Sequence, residues 1–291
     1  MKILLNNTLR LYRFFLILLS MPFVLAEYFR KSTGKEHGIG FFSKLVLIVK
    51  IYRNNKTIPS VSSYLEHFLM VTKILTIPKA MRGSVVECGS YKGGGTANLS
   101  LACALCNREL EVFDSFEGLP QPSEQDKVHI IVDRDEVHTY TKGSWSGSLE
   151  EVKHNISRHG NIDACHFNVG YFDQTLPKFN KKTVFAFLDV DLRESLEVCL
   201  RYLWPLLQDE CYLFIHEAPH LEIASLFFDK EWWRKHLNSN PPGLIGAGNG
   251  LGLVPECGGF KSALGYIVKN PRLSDFTEIP QDWKENGNKE T

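Results

Sequence analysis

The segment from Ser84 to Cys106 constrains this chain most. It runs as a short β-branched strand, Ser84 to Cys88 (SVVEC), a glycine loop, Gly89-Ser90-Tyr91-Lys92-Gly93-Gly94-Gly95-Thr96, and an apolar helical run, Ala97 to Cys106. A strand that feeds a helix through so short a loop is the start of a crossover unit, and repeats of that unit build a parallel sheet covered by helices. Glycine in the loop lets backbone approach a ligand closely, because it removes the side chain and tolerates positive φ. The spacing E-x-G-x-x-x-G-G-G misses the G-x-G-x-x-G dinucleotide fingerprint and lacks the Lys-Ser/Thr ending of a nucleoside-triphosphate loop. Phosphate is therefore not the obvious ligand, and from the loop alone a tight turn without any ligand stays open.

The next strand, Glu109 to Phe113 (ELEVF), ends at Asp114, twenty-seven positions after Glu87. An acid there is placed to accept hydrogen bonds from both hydroxyls of a ribose. Loop and acid together point to a nucleoside-bearing ligand across the carboxyl ends of the first two strands. Ser60 to Ile74 reads as a preceding helix with Ser60, Ser62 or Ser63 as N-cap, and Ala164 to Val169 as a later strand. Thr183 to Leu188 (TVFAFL) reads as a buried strand that delivers Asp189 and Asp191. Alternate residues on an extended chain point the same way, so both carboxylates can face one cleft, where a carboxylate ligates a hard cation or takes the proton of a hydroxyl. Asp191 capping the helix Arg193 to Leu207 is the competing reading. The strand Cys211 to Ile215 (CYLFI) ends in His216-Glu217, and Ser262 to Val268 is a plausible last strand.

Four ordered segments resemble one family. Val85-Val86-Glu87-Cys88-Gly89 with Gly93-Gly94, Val112 to Pro120 (VFDSFEGLP), Gly170 to Pro177 (GYFDQTLP) and Leu188 to Ser195 (LDVDLRES) are similar to the VECG…GG, FDxFEGxP, GxFxxTLP and LDGDLYES patterns of the macrocin O-methyltransferases. The resemblance covers roughly residues 80–215. It implies an α/β, Rossmann-like class I methyltransferase: a mostly parallel sheet with an antiparallel last strand, helices on both faces, and here an N-terminal helical extension. It implies an enzyme that transfers the methyl of S-adenosyl-L-methionine to an oxygen, usually a sugar hydroxyl. Carried over, it sets the methionine part of the cofactor near Glu87, Gly89, Gly93 and Gly94, and the ribose on Asp114. Ser115 and Phe116 would border the adenosine, and Gly170, Phe172 and Asp173 would frame the adenine. Ordinary core packing is the alternative for Phe116 and Phe172.

The family carries two aspartates where this chain has His216 and Glu217, and they complete a magnesium site with the preceding strand's acid. A metal site here would thus be Asp189, His216 and Glu217, with imidazole better suited to zinc, manganese or iron. Asp189, Asp191 and His216 are the catalytic candidates. Three outcomes stay open: an altered divalent site, a metal-free site with neutral His216 as general base, or lost activity. A phenolic or other small acceptor, or an inactive membrane-associated protein that keeps the cofactor fold, are the rival functions.

The chain of 291 residues has equal basic and acidic counts, 33 each, which excludes a basic nucleic-acid binder. The balance is an average: residues 1–60 carry ten Lys/Arg and two acids, a charge of +8, and the rest carries −8. The +8 segment holds two short apolar runs, Phe14 to Ala26, preceded by Lys2, Arg10 and Arg13, and Phe41 to Tyr52. Neither reaches the roughly 20 residues of a membrane-spanning helix. Seating in a membrane interface, burial against the main domain or a second subunit, and a cleaved signal peptide for the first run all stay open. The division expected is 1–58 as an apolar and basic helical segment, 59–275 as the methyltransferase domain, and 276–291 as a polar tail. Seven cysteines scattered in apolar runs favour reduced thiols and a cytoplasmic location, at the inner face of a membrane if the first segment docks there. Cys103 and Cys106, the one closely spaced pair, read as core rather than a zinc site. Acceptor contacts are expected from the polar stretch Pro120 to Ser146, with His129, Asp133, Arg134, Asp135 and His138, from the glycine-rich Gly243 to Gly259, and from Trp145, Trp232 or Trp233.

Overall fold

The computed structural model describes residues 25–131, 136–245 and 263–271. Lys2, Arg10, Arg13, most of the first apolar run, Asp133 to Asp135, most of the glycine-rich segment and the polar tail lie outside them.

Eight strands and eight α-helices are described: α1 (Phe41–Thr57), α2 (Tyr64–Thr76), β1 (Ser84–Cys88), α3 (Gly94–Leu105), β2 (Leu110–Asp114), β3 (Val128–Ile131), β4 (Glu136–Thr139), α4 (Leu149–His159), β5 (Cys165–Val169), α5 (Phe172–Thr175), β6 (Thr183–Leu188), α6 (Arg193–Leu206), β7 (Leu207–Ile215), α7 (Leu221–Leu226), α8 (Lys230–Leu237) and β8 (Gly265–Val268). Six strands form one sheet in the order β5-β2-β1-β6-β7-β8, parallel except for β8. The central strands β1 and β6 are buried at every residue, which is why SVVEC and TVFAFL are continuous rather than alternating apolar runs.

The crossover β1-α3-β2 steps one way along the sheet and β6-α6-β7 steps the other. Right-handed crossovers running in opposite directions put α3 and α6 on opposite faces and open a crevice between β1 and β6, at their carboxyl ends. That crevice positions the site.

Several boundaries move for local reasons. α2 starts at Tyr64 because Ser63 and Glu66 form a capping box: the Glu66 amide donates to Ser63 Oγ at 3.3 Å and the Ser63 amide to Glu66 Oε2 at 2.7 Å. α3 starts three residues before Ala97, at Gly94, since Gly93 takes the left-handed conformation and lets the loop turn straight into the helix. β7 extends back to Leu207. The polar stretch after Pro120 is not wholly irregular: Val128–Ile131 and Glu136–Thr139 pair as an antiparallel hairpin.

The described part of the N-terminal segment is not an appendage. Leu47 and Ile51 of α1, with Tyr28 and Ile39, share one hydrophobic core with β1, β6 and β7. A buried polar knot pins α1 down: Asn54 donates to Asn98 Oδ1 at 2.9 Å, and Asn55 and Asn98 both bond His67 Nδ1 or each other within 3.1 Å. The six described cysteines are free thiols, with Cys103 and Cys106 buried in the core as expected from their setting.

Candidate active site

The sheet's backbone ladder runs past the strand ends and lines up the candidates. The Gly89 amide donates to Phe113 carbonyl at 2.9 Å, Asp189 to Cys88 at 2.9 Å, His216 to Leu188 at 3.1 Å and Gly170 to Asp114 at 2.9 Å. Gly170, Asp114, Gly89, Asp189 and His216 therefore stand side by side along the carboxyl edge. In front of them lies a cleft of about 700 Å3, counting space open to solvent.

At one end of the cleft Asp114 is fixed from three directions. Its Oδ2 accepts from the Ser90 amide at 2.6 Å and Ser90 Oγ at 2.9 Å, and its Oδ1 from the Phe116 amide at 2.7 Å. A carboxylate held this way keeps about one of its four lone-pair sites, on Oδ1, free for a hydroxyl and meets it without reorienting. Ser115, Tyr171 and Phe172 line the same end. Gly89 lines the centre, and it must be glycine. Its φ is 87°, and a Cβ there would lie 1.8 Å from the Asp189 carbonyl oxygen, so two loops cross in contact.

The other end carries the charge cluster. His216 Nδ1 lies 3.1 Å from Glu217 Oε1 and 3.4 Å from Asp189 Oδ1, and His216 Nε2 is buried without a hydrogen-bond partner. Burial alone would lower the His216 pKa, but Asp189 and Glu217 outweigh it and hold the ring well above its ordinary value. Burial first, and the Glu217 charge with it, raises Asp189 above the carboxylate range against the opposing pull of His216. The two carboxylates beside the ring favour its protonated form. One imidazole nitrogen and two carboxylates within 4.8 Å of one another do fit a divalent ion.

Asp191 lines the same cleft but stands outside that group of three. It takes φ 58°, leaving the extended path on which its alignment with Asp189 was expected. It does not cap α6. That role falls to Asp126, whose carboxylate accepts from the Arg193 amide at 2.7 Å and the Glu194 amide at 3.2 Å. Tyr140 hydrogen-bonds Asp191 instead.

Not every expected cofactor residue lines the cleft. Glu87 is buried on β1 with its side chain under α3, where a Cβ on Gly95 would meet its Oε1 at 2.8 Å and His67 Nε2 at 3.5 Å. Its Oε2 has no hydrogen-bond partner, and burial, with the Asp189 and Asp114 charges, pushes its pKa up to about 8. Gly93 and Gly94 pack against Val152 and Ser60. Phe116 turns back, at φ 58°, into a small core with Ile58, Ala97, Val152 and Ile156, which is the packing alternative. Gly170 and Asp173 flank the lining residues Tyr171 and Phe172 without lining the cleft themselves.

Of Trp145, Trp232 and Trp233, only Trp145 lines the cleft, edge-on to Tyr91 with ring centres 5.7 Å apart. Trp233 is fully buried against Trp204, its Nε1 donating to the Leu226 carbonyl at 2.8 Å, and Trp232 packs beside it. Sequence reasoning did not single out Tyr91, Tyr140, Tyr171, Val61 and Ser195. Tyr91 lies inside the glycine loop, Tyr171 and Ser195 inside motifs that resemble the family's, and Tyr140 inside the polar stretch, while Val61 carried no signal.

A profile of the macrocin-O-methyltransferase (TylF) family matches residues 65–231. The chain belongs to this family. It is accordingly an S-adenosylmethionine-dependent O-methyltransferase. Among solved structures, the O-methyltransferase NovP superposes with a TM-score of 0.58 at 18% identity, over 77% of this chain and 98% of that one, which shows the class I methyltransferase fold. CalS11, a calicheamicin methyltransferase, gives a TM-score of 0.48 at 16% identity, over 79% of this chain and 80% of that one. A comparison with curated proteins found no match.

Proposed function

We propose that the acceptor is a sugar or glycan hydroxyl, that Asp189, His216 and Glu217 hold a divalent cation beside it, and that Asp191 takes its proton. What carries this reading is that one cleft joins a fixed ribose acceptor, Asp114, to two carboxylate positions with different ties. Asp189 is grouped with His216 and Glu217, while Asp191 is bound to Tyr140. The family's usual acceptor class supports the sugar, and the exposed edge of Trp145 with Tyr91 gives an aromatic surface of the kind sugar rings stack on.

Methyl transfer needs alignment and one proton removed, since the sulfonium carries its own leaving group. As the acceptor oxygen takes the methyl that the bound donor would supply, its hydroxyl proton passes to Asp191. A cation on the three-residue group would supply charge that makes an unreactive alcohol more acidic. Gly89 and Asp114 set the donor in place, and Val61, Leu119 and Trp145 wall the cleft.

The test is transfer of a labelled methyl from S-adenosylmethionine to a panel of glycosides and phenols, with and without chelator. Turnover of glycosides that is lost on chelation and restored by manganese or zinc supports the reading. Turnover confined to phenols would overturn the acceptor assignment, and turnover indifferent to chelation the metal assignment.

A further inference from the structure

Helix α1 has two apolar faces. Leu47 and Ile51 enter the core, with Lys44 and Asn54 buried beside them. On the opposite side Phe42, Leu45, Val46, Val49 and Tyr52 follow the i, i+3, i+4, i+7, i+10 spacing of one helical stripe, and with Phe41 they are 38% to 80% exposed. Single exposed apolar residues are ordinary, but a continuous ridge of six over three turns marks a contact surface. The ridge runs into exposed Lys50, Arg53 and Lys56, and α1 contains no acid. Beside it, between α1 and α2, lies an apolar cavity of about 100 Å3, lined by Leu25, Ile48, Tyr52, Tyr64 and Phe68 among others.

We infer that this face of α1 seats on an anionic lipid surface. Three observations select lipid over other occupants. The ridge stands out from an exposed helix face and borders a slot walled by aliphatic and aromatic side chains, which suits insertion among acyl chains. Its charges all have one sign, so two copies meeting through it would set Lys50, Arg53 and Lys56 against their equivalents, whereas anionic headgroups neutralise them. The preceding residues 1–24 repeat the composition, an apolar run from Phe14 with Lys2, Arg10 and Arg13 and no acid, so both would favour the same surface. Among the described residues no helix is long and apolar enough to cross a membrane. Val61, four residues past α1, lines the catalytic cleft, which puts the cleft mouth next along the chain to the docked helix.

The test is sedimentation of the full-length protein with vesicles of phosphatidylcholine alone or mixed with phosphatidylglycerol, at low and high salt. Binding to the anionic vesicles that weakens with salt is expected. F42D/V46D/V49D should abolish it, and K50Q/R53Q/K56Q should lower the partition coefficient roughly a hundredfold, at about fivefold per charge. All six positions are exposed, so melting temperature and S-adenosylmethionine affinity should match wild type and confirm folding. Wild type that stays in solution, or an aspartate variant that folds and still sediments, overturns the inference. So does a wild-type dimer in light scattering that the aspartate variant converts to monomer without any vesicle binding, because the face would then belong to a second copy.

Discussion

At Gly89 the geometry leaves one residue choice. A methyl group there would sit inside the contact distance of the Asp189 carbonyl, and an L-residue at φ 87° adds about 1–2 kcal/mol of its own. Gly89→Ala should therefore destabilise the fold by at least ~3 kcal/mol, since β1 and β6 must separate to relieve the overlap. Gly93→Ala, at a similar φ but with its nearest contact a side chain 3.2 Å away, should lose only about 1–2 kcal/mol. Urea unfolding of the two variants checks the difference. The acidic residues of the cleft separate in the same manner. Asp189→Asn should abolish manganese binding, read by electron paramagnetic resonance. Asp191→Asn should leave that binding intact and lower kcat by roughly 10²–10⁴, the usual worth of a positioned general base. Loss of manganese binding in both would assign both carboxylates to the cation.

Elements place those residues, and Asp126 shows how. It lies just before β3, far in sequence from α6, yet its carboxylate caps the helix that begins two residues after Asp191. Asp126→Ala should cost about 1 kcal/mol as a lost N-cap. It should also reduce kcat more than that stability loss accounts for, because Asp191 in its left-handed conformation depends on the helix start. Equal effects on stability and on turnover at saturating acceptor would confine Asp126 to capping. The strands β1, β2 and β6 and the acids Asp114 and Asp189 were legible in sequence, because continuous apolar runs and glycine announce buried parallel strands and their ends. The partner of Asp191 was not, since Tyr140 comes from a loop whose position only tertiary packing sets. Nor was the direction of Glu87. A strand buried on both faces gives no polar alternation to show which side of the sheet a residue meets. Phe116 differs for a third reason, a positive φ that no local pattern in FDSFEG announces.

For the whole molecule the unusual quantity is the charge chemistry enclosed beneath α3. Glu87 has its pKa raised to about 8 from 4.5, and His67 has its lowered to about 4 from 6.5, burial being the main cause in each. For Glu87 the unfolded chain releases its proton above pH 4.5 while the fold retains it to about pH 8, so stability falls as pH rises through that window and levels off above it. For His67 the unfolded chain takes up a proton below pH 6.5 that the fold refuses until about pH 4, so stability falls as pH drops through that window. Between pH 4.5 and 6.5 the two slopes oppose each other. From pH 6.5 to 8 Glu87 is the one of this pair that still contributes, with a slope of at most about 1.4 kcal/mol per pH unit. Glu87→Gln keeps the neutral shape, so its stability relative to wild type should climb from pH 4.5 to 8 and then stay level. His67→Gln should instead gain on wild type as pH falls from 6.5 to 4. Urea unfolding of the three proteins across pH 4 to 9 reads both slopes, and a Glu87→Gln curve parallel to wild type above pH 6.5 would mean that the fold holds Glu87 ionised, with a cation or donor reaching it beneath the glycine loop.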